Sequence, residues 1–328
     1  MALRPVSNPP GRFQASRPEW WWEPPPPAEV RVFEDDSRAV LSRNESEDLP
    51  FRWSLNPYRG CQHACSYCYA RPSHEYWGFG AGTDFETRLM VKPRAPQLLR
   101  EALLRPGWKG ELVVLSGNTD CYQPLEGRWG LTRACLEVFR EFRNPVGIIT
   151  KSPLIVRDLD LLKDLHRDAH VHIVVSLAFA DEDMARKVDA GAPSPERRFR
   201  VVKALSDAGL FVTVSLAPVI VGLNDAQAPE ILKRAKEAGA RNAFYAPLRL
   251  TGSGEAVFLQ RLRQDFPLAA GKVEGFLKDQ HAGRGERGAL IASQFRLWKR
   301  RLGLDQPHPF RGNSTFRRPG PCQGTFAF

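Results

Sequence analysis

The amino-acid sequence predicts an α/β protein built on an open, curved sheet of six mainly parallel strands. Short, continuously apolar runs alternate with amphipathic segments over most of the chain. Such runs are typical of strands buried on both faces, and their alternation with helices favours parallel strands joined by right-handed helical crossovers. Six strands are too few to close an eight-stranded barrel, so we expect a partial barrel.

The predicted elements follow one another in a regular order. A short strand at 30–33 and a first core strand at 51–57 lead into a cysteine-containing loop, and a hairpin strand at 85–92 precedes a helix at 95–104. The further core strands are the apolar runs at 112–115, 146–149, 171–177, 211–216 and 243–248. Helices are expected at 131–142, 158–168, 195–208, 228–238, 255–265 and 290–302.

The 328 residues divide into three predicted regions. Residues 1–30 are rich in proline and contain the run Trp20–Trp22, and we expect a disordered tail because proline lacks the backbone donor. Residues 31–250 form the partial barrel, and residues 251–328 form a basic helical extension. The glycine-rich stretch 271–288 within that extension gives no clear signal for helix or strand.

The charge of the chain favours a polyanionic partner. The formal net charge is +10, and from His281 to Phe328 there are nine Lys or Arg against two Asp or Glu. A basic, aromatic segment suits the phosphate backbone of DNA or RNA, and a capping helix with a solvated basic face is the alternative. The last six residues, 323–328, weakly resemble peptides that dock on bacterial sliding clamps.

The sequence gives no sign of a membrane partner. It contains no uninterrupted apolar run long enough to span a bilayer, and its first residues lack the apolar core of a signal peptide. We therefore expect a cytoplasmic protein. A reducing compartment also agrees with cysteines that are kept as free thiols.

Three cysteines, Cys61, Cys65 and Cys68, lie in the loop that follows the first core strand. A tight loop can direct three thiolates at one point, and iron–sulfur clusters prefer thiolate ligands. Because a four-iron cluster has four corners, three local cysteines leave one iron open. A disulfide framework is not indicated, since the local number of cysteines is odd.

A structural zinc site is the alternative interpretation of this loop. Zinc could take the three thiolates with His63 or His74 as a fourth ligand, although zinc sites more often use paired C-x2-C units. The other cysteines, Cys121, Cys135 and Cys322, are scattered along the chain and behave by default as small apolar side chains. The spacing favours a cluster and leaves zinc open.

The residues around the cysteines resemble the signature of the radical S-adenosylmethionine (SAM) superfamily, in which an aromatic residue, here Tyr67, precedes the third cysteine. Asn-Pro-Tyr-Arg-Gly-Cys at 56–61 and Tyr-Ala-Arg-Pro-Ser-His-Glu-Tyr at 69–76 resemble the spore photoproduct lyase-like branch, also called DNA repair photolyase-like. The resemblance extends from about Arg31 to about Leu304. It implies a partial (β/α)6 barrel, a [4Fe-4S] cluster on the three cysteines, and SAM on the open iron.

The resemblance also implies that SAM lies at the carboxyl ends of the strands, where parallel α/β folds bind their ligands. After the second barrel strand the superfamily usually has a glycine-rich motif with a carboxylate that holds the SAM amino group. Gly117, Asn118, Thr119 and Asp120 occupy this place, with an ordinary turn as the alternative. These four residues, together with Tyr67 before the third cysteine, are candidate SAM contacts.

Three further candidates follow later strands. Lys151 could pair with the SAM carboxylate, and Ser176 could hydrogen-bond the carboxylate or the ribose. Arg249 follows the last strand and could contact SAM or a substrate phosphate. For Lys151, a solvent-facing lysine is the alternative.

A segment after the fifth strand resembles the part of the superfamily that holds adenine. Ile220 and Gly222 match that pattern, while Ala217 and Asp225 stand at its outer positions. Spore photoproduct lyases use a separate cysteine to return a hydrogen atom to the substrate, and Cys121 is the candidate here. Its position does not match, because the branch more often has proline at this point.

The resemblance implies a reaction in which the reduced cluster donates one electron to SAM, and the resulting 5′-deoxyadenosyl radical abstracts hydrogen from a substrate. The basic charge favours nucleic acid, which must be flipped or bent to reach the barrel. A peptide, protein or metabolite substrate is one alternative, and a non-catalytic zinc or iron–sulfur binding protein is another. A flavodoxin or ferredoxin is the expected electron donor.

Overall fold

A computed structural model describes residues 29–45, 51–250, 252–281, 286–308 and 314–319. The predicted tail with Trp20–Trp22, residue Cys322 and the predicted clamp-binding peptide 323–328 lie outside the described residues. The described chain contains two sheets, and the larger one carries the cysteine loop at one of its ends.

The larger sheet has seven strands in the order β10-β9-β8-β7-β6-β3-β2. All neighbouring pairs are parallel except the antiparallel pair of β2 and β3 at one edge. The sheet remains open, so the predicted six-stranded parallel partial barrel is confirmed. The strands are β2 (Leu41–Arg43), β3 (Trp53–Leu55), β6 (Val113–Leu115), β7 (Val146–Thr150), β8 (Val171–Ser176), β9 (Val212–Val219) and β10 (Asn242–Pro247).

Helices cover the convex face of this sheet because each of them buries one apolar stripe. In α4, the side chains of Leu131, Cys135, Phe139 and Phe142 are buried at helical spacing. The helices of this layer are α2 (Ala95–Leu104), α4 (Leu131–Phe142), α5 (Leu159–Asp168), α7 (Pro195–Asp207) and α8 (Ala228–Glu237). Two shorter helices are α3 (Glu126–Trp129) and α6 (Glu182–Val188), and α6 packs into the apolar cluster that contains Cys65. The strand-to-helix alternation predicted from the sequence is therefore present.

The smaller sheet has the order β1-β5-β4, formed by β1 (Arg31–Glu34), β4 (Tyr58–Arg59) and β5 (Arg88–Val91). The hairpin strand predicted at 85–92 is wrong in its first part, because α1 (Thr83–Thr87) precedes β5. Asp84 accepts a hydrogen bond from the Gly80 amide at 2.9 Å, and Glu86 turns inward to buried arginines. These polar contacts favour a helical turn over a strand at this point.

The extension adds three helices, α9 (Ser253–Asp265), α10 (Pro267–His281) and α11 (Glu286–Arg301). Helix α10 was not expected, since its glycines weaken the helical signal. The chain then follows the end of the sheet at which β6 to β10 begin, which we call the amino edge. The opposite end is the carboxyl edge. No described helix has the length and apolarity that a bilayer span requires.

Candidate functional site

The cysteine loop leaves β3 at the carboxyl edge and turns sharply twice. Gly60 has a φ of +71° and Ala64 a φ of +52°, both in the left-handed region. A Cβ at Gly60 would lie 2.8 Å from the Phe85 carbonyl oxygen, so glycine is required there. The Cys61 amide donates to the same Phe85 oxygen at 2.9 Å. These contacts fix the start of the loop.

The buried side chain of Arg71 organises the middle of the loop. Its Nε and Nη2 donate to the Cys65 carbonyl at 3.0 and 2.8 Å. Its Nη1 donates to the carbonyls of Ala81 and Gly82 at 2.9 and 3.1 Å. Arg71 also forms a fully buried ion pair with Glu86. One side chain therefore ties the second cysteine to the segment that precedes α1.

A second buried arginine reaches the loop from the extension. Arg261 of α9 donates from Nη1 to the Ala64 carbonyl at 3.0 Å and from Nη2 to Glu86 at 2.7 Å. Glu86 thus lies between two guanidinium groups, and the three charges partly neutralise one another away from water. No local pattern in the sequence marks this contact, because it joins distant parts of the chain.

The segment that follows α6 packs against the opposite side of the loop. The Ser66 amide donates to the Val188 carbonyl at 2.9 Å, Cys65 and Asp189 form an antiparallel bridge, and the Gly191 amide donates to the His63 carbonyl at 3.0 Å. We call residues 188–191 the clamp segment. The cysteine loop is therefore held on both sides by backbone hydrogen bonds.

The three thiols form one buried set. Cys61 and Cys65 are each 7% exposed, and Cys68 is partly buried. Burial, then the Asp189 carboxylate, raise the pKa of the Cys65 thiol well above its usual range, and charge on Cys68 and Cys61 adds to this shift. Burial likewise raises the pKa of Cys68. A metal centre is needed to keep such thiols deprotonated.

The residues fit a cluster better than a single ion. No set of three or more His, Cys, Asp or Glu in the described ranges is placed to hold one metal ion. His63 Nδ1 lies 3.3 Å from an Asp120 oxygen, and His74 Nε2 lies 2.7 Å from the Arg88 carbonyl, so both candidate zinc ligands have other neighbours. A [4Fe-4S] cube binds each cysteine through a different iron, so its ligands are spaced more widely.

The sequence comparison decides which family this loop represents. Residues 55–235 match the family model described as the radical SAM superfamily. The chain belongs to the radical SAM superfamily. The predicted superfamily is thereby confirmed, and with it the cofactors that its members use, a [4Fe-4S] cluster and SAM.

Relatives of this radical SAM chain occur in distant organisms. The chain is 40% identical over 221 residues to uncharacterized protein Rv2578c of Mycobacterium tuberculosis, which is 67% of this chain and 65% of that relative. It is 28% identical to uncharacterized protein MJ0683 of Methanocaldococcus jannaschii, over 54% of this chain and 63% of that relative. The matched region thus spans about two thirds of the relatives' length.

Solved structures of spore photoproduct lyase share the fold. A cysteine-to-serine mutant of that lyase matches with a TM-score of 0.54 at 14% sequence identity, covering 72% of this chain and 66% of that chain. The lyase complexed with dinucleoside spore photoproduct matches with a TM-score of 0.54 at 13% identity and the same coverage. This likeness confirms the predicted radical SAM partial barrel.

Lys151 lies beside the cysteines at the radical SAM site. It follows β7 two positions after Ile149 and four after Gly147, so it continues the row of side chains that faces the concave side of the sheet. Its ammonium lies 5.7 Å from the centre of the Tyr67 ring. Burial alone would lower the pKa of Lys151, but Cys65 and Asp189 raise it above its usual value. Lys151 is therefore charged.

The polar atoms around Lys151 are incompletely bonded within the described chain. Lys151 forms no ion pair or hydrogen bond through its ammonium there. Tyr67 Oη and Asp189 Oδ1 are buried without a hydrogen bond of normal geometry, and their nearest polar neighbours are each other. The other Asp189 oxygen accepts a hydrogen bond from Arg198 at 2.8 Å. Buried polar atoms with incomplete hydrogen bonding keep capacity for a polar ligand. Tyr67 and Lys151, both predicted SAM contacts, are thus brought together.

The turn after β6 is held by internal hydrogen bonds. Asn56 Oδ1 accepts from the amides of Asn118 and Thr119 at 2.9 and 3.3 Å, and the Thr119 hydroxyl donates to the Tyr58 carbonyl at 2.6 Å. A Cβ at Gly117 would lie 2.6 Å from the Cβ of Ser54. Glycine is therefore required for the close approach of this turn to β3.

Both carboxylate oxygens of Asp120 accept hydrogen bonds. Its carboxylate accepts from Thr150 Oγ1, the Lys151 amide and the Tyr122 amide, at 2.8, 2.8 and 2.9 Å. Burial would raise its pKa, but the adjacent His63 and these amides lower it to about 2. Burial would lower the pKa of His63, but Asp120 and Cys61 raise it to about 9. In this structure Asp120 links the turn to β7 and to the cysteine loop.

The other predicted contacts are placed separately. Ser176 is buried at the carboxyl end of β8, and Ile220 is buried in the apolar cluster that contains Cys65 and Tyr67. Gly222 has a φ of +86°, and its amide donates to Asp225 at 2.8 Å. Arg249 is exposed beyond β10. The structure brings Ile220 to the cysteine side of the sheet and leaves Arg249 at the rim.

Cys121 does not lie at the mouth of the barrel. Its side chain is fully buried in the main core beneath α4, and the Thr132 hydroxyl donates to its carbonyl at 2.6 Å. Burial, then the Asp120 charge, raise the pKa of the thiol well above its usual range. This placement is that of a packed apolar side chain, and the predicted hydrogen-donor role stays a prediction.

Proposed function

We propose that the chain is a radical SAM enzyme that abstracts hydrogen from a nucleic-acid substrate. The observation that carries the proposal is that the Lys151 ammonium lies beside the thiols of Cys61, Cys65 and Cys68 at the carboxyl edge. Cys61, Cys65 and Cys68 would hold the [4Fe-4S] cluster, which would supply the electron for reductive cleavage of SAM. The protein contributes the position of SAM and the exclusion of water.

Some residues of the chain would position SAM, and others hold the cysteine loop. Lys151 supplies a partly buried positive charge for the SAM carboxylate, and Tyr67 supplies a hydroxyl beside it. Ile220 supplies an apolar wall that suits adenine. Arg71 and Arg261 hold the cysteine loop in one conformation, so that the three thiols that would hold the cluster keep one arrangement.

The substrate class rests on two supporting observations. The net charge of +10 favours a polyanion, and the fold is that of a lyase solved with a dinucleoside spore photoproduct. A cytoplasmic location belongs to the same proposal, since the cluster needs free thiols and a one-electron donor such as flavodoxin or ferredoxin. Contact of the 323–328 peptide with a sliding clamp stays a prediction.

Anaerobic reconstitution with iron and sulfide tests the chemistry. The wild-type chain should bind four irons per chain and release 5′-deoxyadenosine from SAM only with dithionite. Cys65→Ala should abolish that release, and Cys135→Ala, which removes a core thiol remote from the loop, should retain it. Equal release from Cys65→Ala, or a product that contains only zinc, would refute the proposal.

A second measurement tests the substrate class. Ultraviolet-irradiated and untreated oligonucleotides are offered to the reconstituted enzyme, and 5′-deoxyadenosine is measured against a background without substrate. Stimulation by oligonucleotide supports nucleic acid. Stimulation by peptide pools or metabolite extracts, with none by oligonucleotide, overturns the substrate class and leaves the radical chemistry intact.

A further inference from the structure

The end of the described chain runs along the amino edge of the sheet. The Ala243 amide donates to the Leu304 carbonyl at 2.9 Å, and His308 Nε2 lies 2.9 Å from the Val171 carbonyl. Further on, the Arg317 amide donates to the Phe142 carbonyl at 2.8 Å. The segment therefore passes from β10 beneath β8 to the start of β7, on the side away from the cysteines.

This arrangement collects positive charge on one face. Connections that enter β6, β7 and β10, the last turn of α11 and the final described segment all contribute cations there. We call this the amino-edge face, and its Lys and Arg residues are Arg105, Lys109, Arg143, Arg241, Lys299, Arg300, Arg301, Arg317 and Arg318. The carboxylates in the same segments are Glu111 and Asp305, and Glu111 is paired with Arg52 at 3.2 Å.

The carboxyl edge has no comparable excess. The connections that leave β6 to β10 contain a similar number of cations and carboxylates, namely Lys151, Arg157 and Arg249 against Asp120, Asp158, Asp181 and Asp225. Asp158 is moreover paired with Arg157 at 2.8 Å. The mouth of the barrel therefore offers a phosphate backbone little net attraction. Net electrostatic attraction for a polyanion is therefore greater at the amino-edge face.

We propose that the amino-edge face is a nucleic-acid anchoring surface that is separate from the radical site. Most of its cations are exposed and come from segments that are far apart in sequence, so the fold assembles a broad basic surface of the kind that binds phosphates without reading bases. The choice of nucleic acid among polyanions rests on the proposed function. The location of the face does not depend on it.

The amino-edge face and the cysteine loop lie at opposite ends of the sheet. A strand rises about 3.3 Å per residue, so strands of this sheet place the cysteine loop roughly 15 to 25 Å from the amino-edge face. A nucleic acid bound to this face is therefore held through nucleotides other than the ones that react at the cysteine loop. Such contacts weaken or strengthen binding uniformly across base sequences.

Fluorescence anisotropy of the purified full chain, without SAM, tests this inference. A labelled single strand and a labelled duplex of about 30 nucleotides are titrated over a range of KCl concentrations. Arg300→Gln with Arg301→Gln should lower the slope of log K against log salt by about 2, because each lost phosphate contact removes about 1. The matched control is Arg200→Gln with Lys203→Gln on α7, which removes the same charge from exposed side chains elsewhere.

The outcomes separate clearly. A smaller slope in the α11 variant with an unchanged control supports the face, and Lys109→Gln with Arg241→Gln should repeat it if the α11 variant folds poorly. Equal slopes in all proteins, an equal loss in the control, or binding of phosphatidylserine vesicles in place of oligonucleotide each overturn it. A fall in melting temperature with unchanged affinity also overturns it, since the cations would then only stabilise helix ends. SAM cleavage is measured separately, so the proposed function stands or fails independently.

Discussion

Arg261 donates a hydrogen bond to the Ala64 carbonyl at 3.0 Å, across 197 residues of sequence. The same guanidinium contacts Glu86, which is also paired with Arg71. Because Arg71 bonds the Cys65 carbonyl, helix α9 is connected to the cysteine loop by two routes. The extension is therefore part of the structure that presents the cysteines.

Replacing Arg261 by methionine should loosen the loop. Removal of one partner from a buried charged network typically costs about 3 to 5 kcal/mol, because the remaining charge loses its neutralising neighbour. We expect a lower free energy of unfolding by urea titration and less iron bound after reconstitution. Arg263→Met on the exposed face of the same helix is the control. Unchanged iron content in Arg261→Met would show that α9 is dispensable for the site.

Replacing Gly191 by alanine should displace the clamp segment. A Cβ at this position would lie 2.1 Å from the Gln62 carbonyl oxygen, and backbone cannot move aside cheaply. The expected result is a lower melting temperature and faster bleaching of the cluster absorbance by a chelator. Gly275→Ala in α10 has open space around the new methyl group and should be neutral or stabilising by up to about 1 kcal/mol. Similar behaviour of both variants would show that the clamp segment does not hold the cysteine loop.

Lys151→Met should weaken SAM binding more than cluster loading. A hydrogen bond to a charged group contributes about 1.5 to 3 kcal/mol, which corresponds to a rise in Kd of about 10-fold to 150-fold. The measurement is a titration of SAM followed by the electron paramagnetic resonance signal of the reduced cluster, with Lys151→Arg as the conservative variant. Lys163→Met, an exposed lysine on α5, should bind SAM normally. An unaltered Kd in Lys151→Met would remove the residue from the site.

Stability should fall in mild acid because of the histidines at the amino edge. Burial, then His308, lower the pKa of His172 to about 4, against about 6.5 in an unfolded chain. Between these two values the unfolded state binds a proton that the folded state excludes, so the free energy of unfolding falls as the pH falls. The pKa values of His166 and His170 are lowered by burial and then by His308, and they act in the same direction.

Melting temperatures at pH 7.5 and pH 5.0 test this dependence. His172→Gln keeps a polar side chain beside Thr213, whose hydroxyl lies 3.0 Å from His172 Nε2, and it cannot titrate. The variant should therefore lose less stability between the two pH values than the wild type. An identical loss would assign the acid sensitivity to other groups.

The regular part of the fold was predictable because its signals are local. Helices α2 and α4 begin and end where the apolar spacing indicated, at 95–104 and 131–142. The cysteine motif indicated the family for the same reason. The glycines of α10 weakened its helical signal, so this helix was not predicted. The segment of α1 was predicted as a strand because the burial of Glu86 could not be recognised from the sequence. These misses come from tertiary contacts that override weak local preference.

The supports of the site were not predictable from the sequence. The contacts of Arg261, Gly191 and Asp189 with the cysteine loop join segments more than 100 residues apart, and no periodicity marks them. The same is true of Asp120, for which a SAM contact was expected and whose carboxylate bonds β7 and lies beside His63. Its predicted role in SAM binding stays a prediction.

The dependence of the cysteine loop on Arg261 also orders the biogenesis of the protein. During synthesis the three cysteines leave the ribosome well before α9, and until then the loop lacks one of its two buried guanidinium supports. A nascent chain that ends before residue 253 therefore has only the Arg71 support beneath its cysteines, and the second support arrives with α9.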